Sequence, residues 1–195
     1  MKKVAIVGAG ISGLLIAHLF KQKSKYKISI YEKNKKINLD EGYGIQLSVN
    51  SIKVLNEIGF KIFEKSDKFH PTKVNFYSND TANKICDLNI SEYNSEDCKY
   101  TTLKRSSLIN FLKKGLDEII KTDYNISKID HQNNQINISF ENNEFIECDY
   151  LIISDGVFSK SKNLISNNQT KPRYNNTLAI RAIIDNSLEN IDDKN

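Results

Sequence analysis

The chain has 195 residues, 39% of them hydrophobic and 27% charged, enough for one domain with a sizeable core and too apolar for a disordered chain. Its net charge of +4 does not point to nucleic acid: of 28 basic residues only Arg105, Arg173 and Arg181 are arginine, and the lysines are scattered without interleaved aromatics. Cys86, Cys98 and Cys148 form no CxxC pair and no metal-ligand spacing, which argues against a disulfide framework or a metal site and suits a reducing cytoplasm.

The first elements are read from Lys3 to Lys33. Val4 to Val7 is a short apolar strand, and Gly8-Ala9-Gly10-Ile11-Ser12-Gly13 is a glycine turn. Leu14 to Phe20 is an apolar helix, and Ile28 to Tyr31 is a second strand that ends at Glu32. Lys2 and Lys3 before an apolar run could pass for a signal peptide. The helix-breaking glycines and the missing small-residue cleavage site argue against one. No run reaches the roughly 18 apolar residues that would span a bilayer, so a soluble, cytoplasmic protein is expected, with peripheral membrane contact left open.

The glycine spacing has a physical logic. Gly8 allows a tight turn, Gly10 lets backbone N–H groups come close to a pyrophosphate, and Gly13 lets the helix pack on the sheet. The helix N-terminus offers unpaired N–H groups and a positive dipole end. Glu32 follows Gly13 at the spacing where a carboxylate accepts from a ribose diol. A strand-to-helix turn that merely needs glycine is the plainer alternative, and the motif does not separate FAD from NAD.

A polar loop from Lys33 to Glu41 leads to Gly42-Tyr-Gly-Ile-Gln-Leu-Ser48. Ser48 is placed to cap a helix from about Val49 to Ile58, with Ile52, Leu55 and Ile58 on one face and Gly59 ending it. Thr72 to Ser78 and Lys84 to Ile90 read as a hairpin turning at Asn79-Asp80. Ser91 to Asp97 is a polar loop. Lys104 to Lys121 is expected to be one amphipathic helix, its stripe made by Leu108, Phe111, Leu112, Leu116, Ile119 and Ile120. Asp123 to Tyr150 gives three short strands, with turns at Asn133-Asn134 and Asn142-Asn143. Tyr150 to Ser154 is apolar enough for a buried parallel strand, and Asp155-Gly156 follows. Leu178 to Ile184 reads as one more strand.

Arg105 draws attention because a cation in the first turn of a helix is disfavoured by about 0.3–1 kcal/mol unless an anion lies nearby, and a guanidinium can hold a phosphate bidentately. Solvent exposure or a surface carboxylate are its alternatives. Asp155 could simply turn the chain after its strand. His18 reads as a packed residue, and His70 and His131 as exposed. No Ser–His–Asp set, paired-carboxylate site or metal cluster is visible.

Four motifs then fall in one order: Gly8-x-Gly10-x-x-Gly13 with Glu32, Gly42 to Asn50 leading to Leu55 and Gly59, Arg105 at a helix start, and Asp149 to Ser159 around Asp155-Gly156. Over essentially its whole length the chain resembles the N-terminal half of the class A flavoprotein monooxygenases, the p-hydroxybenzoate hydroxylase-like and ubiquinone-biosynthesis hydroxylase-like family. The resemblance implies bound FAD, NAD(P)H as a dissociable reductant, O2 as co-substrate, and a small aromatic or quinone-like substrate.

By position, Gly8, Ala9, Gly10, Ile11, Ser12 and Gly13 would surround the pyrophosphate. Glu32 and Lys33 would lie at the adenosine ribose, and Arg105 at the FAD phosphates or ribityl chain. Asp155 and Gly156 would lie in the motif linked to both FAD and NAD(P)H, and Arg181 matches a position where the family often has arginine. No catalytic acid or base is assigned.

The implied architecture is α/β: a Rossmann-like FAD-binding domain over 1–170 with a parallel sheet and a three-stranded antiparallel meander. The hairpin within 72–100 would belong to the substrate-side sheet, and 171–195 would begin an incomplete substrate domain. Two departures matter. Lys162 stands where the family usually has arginine, and the later Gly-Asp motif that closes the flavin site does not occur in the sequence. The alternatives are a fragment or truncated product, one part of a split flavoenzyme with a C-terminal partner, a non-catalytic FAD- or nucleotide-binding remnant, and an NAD-dependent Rossmann oxidoreductase.

Overall fold

The computed structural model describes residues 1–37, 39, 43–63, 68–132, 134–166 and 171–180. In chain order its regular elements are β1 (Lys2–Val7), α1 (Ile11–Lys21), β2 (Tyr26–Glu32), β3 (Gly44–Leu47), α2 (Val49–Asn56), β4 (Lys73–Tyr77), β5 (Lys84–Asn89) and β6 (Thr101–Lys104). There follow α3 (Arg105–Lys113), β7 (Ile120–Thr122), β8 (Ile126–Gln132), β9 (Gln135–Phe140), β10 (Phe145–Cys148), β11 (Tyr150–Ile153) and α4 (Ser161–Ile165). The chain divides into two compact units, one built from Met1–Asp40 and Leu108–Leu178 and the other containing Glu41–Ser107.

The first unit is built on a parallel sheet in the order β11-β1-β2-β7. β1 lies inside the sheet, so Val4 to Val7 are buried on both faces and read as a continuous apolar run. α1 covers one face through Leu14 and Ala17, both fully buried. The antiparallel meander β10-β9-β8 covers part of the other. Between them Ala5, Val7 and Tyr31 meet Ile126, Ile138, Phe140 and Cys148. Tyr31 stacks on Phe140 at 5.0 Å, and Tyr124 meets the same ring edge-on at 4.9 Å. Each fully buried aliphatic or aromatic side chain here contributes about 1.5–3 kcal/mol. The meander's turns use Asn134 and Asn143 at φ of 62° and 66°, a conformation asparagine tolerates.

The second unit pairs β3 with β6 and β4 with β5, both antiparallel. Its buried side chains include Leu47, Ile52, Leu55, Phe60 and Leu103. No helix among the described residues is long and apolar enough to cross a membrane.

Several expectations are corrected. The helix expected over Lys104 to Lys121 stops at Lys113, because Gly115 takes a left-handed φ of 77°. Ile120 and Lys121 instead enter β7, the sheet edge beside β2, and Ile119 ends a short 3-10 turn, Asp117–Ile119, so neither Ile119 nor Ile120 continues the stripe of α3. The β3–β6 pair and α4 have no counterpart among the expected elements. α2 ends at Asn56 rather than Ile58, with Gly59 at φ 89° just beyond, and Ser48 makes no side-chain cap bond because its hydroxyl turns to Asn50. Part of the loop after β5 is a single helical turn, Ile90–Tyr93. β11 is an edge strand and only half-buried. Of the strand expected over Leu178 to Ile184, residues 178–180 are irregular and exposed, and the rest lies outside the described residues.

Candidate functional site: a glycine turn over a cavity

β1 delivers the chain into the turn at Val7. Gly8 adopts φ 100°, and a Cβ there would stand 2.4 Å from the Ser154 carbonyl oxygen, so both its conformation and its neighbour require glycine. A Cβ on Gly13 would stand 2.0 Å from the Gly8 carbonyl oxygen, which fixes how closely α1 approaches the strand end. Gly10 differs: its φ is −79° and nothing lies within 4 Å of the Cβ position. It is the N-cap of α1, which has no side-chain cap and no acid in its first turn. The first amides of a helix lack intrahelical partners, so an uncapped end facing open space favours an anion.

Glu32 closes the turn from the neighbouring strand. Its side chain is 9% exposed; Oε2 accepts the Ala9 N–H at 2.9 Å and Oε1 accepts the Asn34 N–H at 3.0 Å. An ionised carboxylate has about four acceptor positions, so capacity remains for a ligand's hydroxyls. The Ala9 amide is already taken and is not open to a phosphate.

A cavity of about 220 Å³ lies along this turn. Gly8, Gly10, Glu32, Lys33, Asp155 and Gly156 all line it. Asp155 Oδ2 accepts the Ser161 N–H at 3.2 Å, while Asp155 Oδ1 is buried with no hydrogen-bond partner. Leaving a buried carboxylate oxygen unpaired costs at least about 1–3 kcal/mol, which a ligand donor would remove. Gly156 has φ 86° and open space at its Cβ position.

The structure thus brings six of the sequence-identified positions to one cavity. Ala9, Ile11, Ser12 and Gly13 belong to the same turn without lining it: Ala9 and Gly13 are buried, and Ser12 is exposed. Arg105, the first residue of α3, belongs to the second unit, and its N–H donates to the carbonyl of Tyr43 of the same unit at 3.0 Å. Gly42 and Arg181 lie outside the described residues. His18 is half-buried with Nε2 2.7 Å from the Leu112 carbonyl, and His70 and His131 are exposed, as expected.

Reading the sequence missed Tyr31, Asn34, Tyr124, Asn125, Phe158 and Lys160 as lining residues. Tyr124 and Asn125 carry no local signal, since only the return of the chain from β7 to β8 brings them there. Tyr31 and Lys160 adjoin motif residues and could have been included. Burial pushes the Tyr31 phenol above its usual range, with a hydrogen bond from Ser29 acting the other way.

A family profile for an NAD(P)-binding Rossmann-like domain matches residues 6–40, the span of β1, the glycine turn, α1 and β2. Over 186 residues the chain is 25% identical to 6-hydroxynicotinate 3-monooxygenase of Pseudomonas fluorescens, covering 93% of this chain and 47% of that protein. It is 23% identical over 200 residues to salicylate hydroxylase of Pseudomonas putida, covering 94% and 43%. Among solved structures, an FAD complex of an HpxO variant from Klebsiella pneumoniae superposes with a TM-score of 0.68 at 17% identity, covering 80% of this chain and 40% of that one. The chain therefore shares its fold with FAD-containing proteins and resembles the N-terminal half of FAD-dependent monooxygenases. It spans about half the length of the curated relatives it matches.

Proposed function

We propose that this chain is the FAD-binding, N-terminal portion of a monooxygenase that uses NAD(P)H and O2 to hydroxylate an aromatic or quinone-precursor substrate. The observation that carries the reading is the uncapped start of α1 at Gly10, open to a cavity that Glu32 and Asp155 also line. The fit to a dinucleotide rests on three features of this chain: space where a Cβ of Gly10 would stand, spare acceptor capacity on Glu32, and the orphaned Asp155 Oδ1.

The roles follow from chemistry. Amides of Gly10, Ile11, Ser12 and Gly13 bind the diphosphate, with Gly8 and Ala9 shaping the turn. Glu32 accepts from the adenosine ribose, and Lys33 and Lys160 add positive charge at the cavity. Asp155 Oδ1 takes a hydroxyl or N–H of the cofactor, while Gly156 keeps the backbone close. Arg105 binds a phosphate or the ribityl chain. When bound, FAD would supply hydride acceptance from NAD(P)H and O2 activation; the protein binds, orients and shields.

In the same reading, 1–170 forms the FAD-binding domain, the 72–100 hairpin joins the substrate-side sheet, and 171–195 begins a substrate domain. The protein works in the cytoplasm, and a C-terminal segment or partner completes the site. A second reading is favoured by the NAD(P)-binding profile over residues 6–40: a nicotinamide-dependent Rossmann enzyme.

Purification followed by heat release of the cofactor tests both. FAD with visible flavin absorbance is expected. Absence of flavin, together with failure to bind added FAD, overturns the proposal, and NAD in its place supports the second reading. Phenol-stimulated NAD(P)H oxidation distinguishes an enzyme from a binding remnant.

A further inference from the structure

Ser154, the last residue before Asp155, lies at the cavity's edge and spends its hydroxyl on the glycine turn. Its hydroxyl is shared between two successive carbonyls, donating to Val7 at 2.8 Å and to Gly8 at 3.2 Å, and its own N–H also donates to Val7 at 2.8 Å. Its Oγ sits 2.7 Å from where a Cβ of Gly13 would be, so it fills the corner between the strand end and α1.

The partners on the opposite side complete the picture. A trans peptide is planar, with its C=O and N–H pointing in opposite directions. The Val7–Gly8 peptide has its carbonyl on Ser154 and its N–H on the Tyr31 carbonyl at 2.8 Å. The Gly8–Ala9 peptide has its carbonyl on Ser154 Oγ and its N–H on Glu32 Oε2 at 2.9 Å. Both planes entering the turn are held at both edges, from the end of β11 on one side and the end of β2 on the other. Glycine at position 8 leaves the backbone soft in rotation, so the turn needs such external restraint to present its next amides in one orientation.

We propose that Ser154 is a positioning residue for the dinucleotide site: with Tyr31 and Glu32 it fixes the two peptide planes that aim the amides from Gly10 onward at the diphosphate. This rests on the reading of the site given above. No motif assigns the role: Ser154 precedes the Asp-Gly pair, and its hydroxyl is spent on the Val7 and Gly8 carbonyls.

The test is amide hydrogen exchange in the 195-residue chain without ligand, with FAD titration as a second arm. In Ser154→Ala the Ala9 amide, which Ser154 does not touch, is expected to exchange at least about ten-fold faster, while Val4 and Ala5 keep their rates. FAD affinity falls roughly five-fold. Unchanged Ala9 exchange overturns the proposal, as does acceleration spread evenly along β1 and β11, which marks general loosening. Ser154→Cys keeps a side-chain donor, though a weaker and larger one, so it gives an intermediate Ala9 rate; it carries the same reading if the alanine variant does not fold. If the wild-type chain takes up no FAD, the functional reading fails while Ala9 exchange still decides the clamp.

Discussion

A Cβ on Gly13 would stand 2.0 Å from the carbonyl oxygen of Gly8, whereas one on Gly10 would meet nothing within 4 Å. The three glycines of one motif therefore serve two purposes, and substitution separates them. Gly13→Ala forces α1 off the strand end, an overpacking cost of about 3 kcal/mol or more, read as a melting-temperature drop of roughly 10 °C. Gly10→Ala costs at most about 1 kcal/mol through the weaker N-cap, yet places a methyl group where the diphosphate approaches. Its expected signature is near-native melting with FAD affinity reduced at least about ten-fold. Equal melting temperatures for the two variants would contradict this division.

Glu32→Gln tests the closure of the turn. An amide side chain has one acceptor oxygen and one donor nitrogen, so it can serve only one of the Ala9 and Asn34 N–H groups and sets a donor against the other. A loss of about 1–3 kcal/mol in stability is expected even without ligand, together with weaker FAD binding. Denaturant unfolding of the ligand-free chain measures the first effect, and unchanged stability would count against it.

Cys148 is buried at 4% exposure, and burial pushes its thiol up to about 11. Its folded-state value lies above the unfolded value of about 8.5, so its contribution to stability is complete below that pH and is lost as pH rises towards 11. The slope is at most about 1.4 kcal/mol per pH unit. Cys148→Ala should flatten this alkaline decline. In native thiol labelling, exposed Cys86 reacts first and Cys148 only on unfolding.

Asp149 ties the start of β1 to the turn between β10 and β11, accepting the Lys2 ammonium and the Lys3 N–H, each at 2.7 Å. The Lys2 ammonium, helped by the Lys3 N–H, holds its carboxyl below the usual range. A lowered folded-state value means the contribution is present above the ordinary carboxylate pKa and is lost as pH falls through the folded one. Asp149→Asn should melt below wild type at pH 7, with the gap closing in acid. A gap independent of pH would show that the charge is immaterial.

Much of the candidate site was legible because it is local. Gly8, Gly10, Gly13 and Glu32 lie within one strand–helix–strand unit, and each residue type is dictated by a backbone angle, a close contact or an acceptor. The three-stranded meander was legible for the same reason, through alternating apolar residues and asparagines at positive φ. The errors lie where distant segments compete. Apolar spacing carried the α3 helix through to Lys121, but Gly115 breaks it and the open edge of β2 takes Ile120 to Thr122 as a strand.

The sequence by itself determined the glycine turn, the acid that follows it and the strand–helix–strand unit that holds them, because these depend on neighbours a few residues apart. Only the tertiary structure decided that Glu32 bonds Ala9, that Ser154 holds the Val7 and Gly8 carbonyls, and that Asp155 carries an unpaired oxygen. Those partners are set by which strand ends lie side by side in a parallel sheet. That adjacency comes from burying β1 between β2 and β11, and spacing along the chain does not encode it.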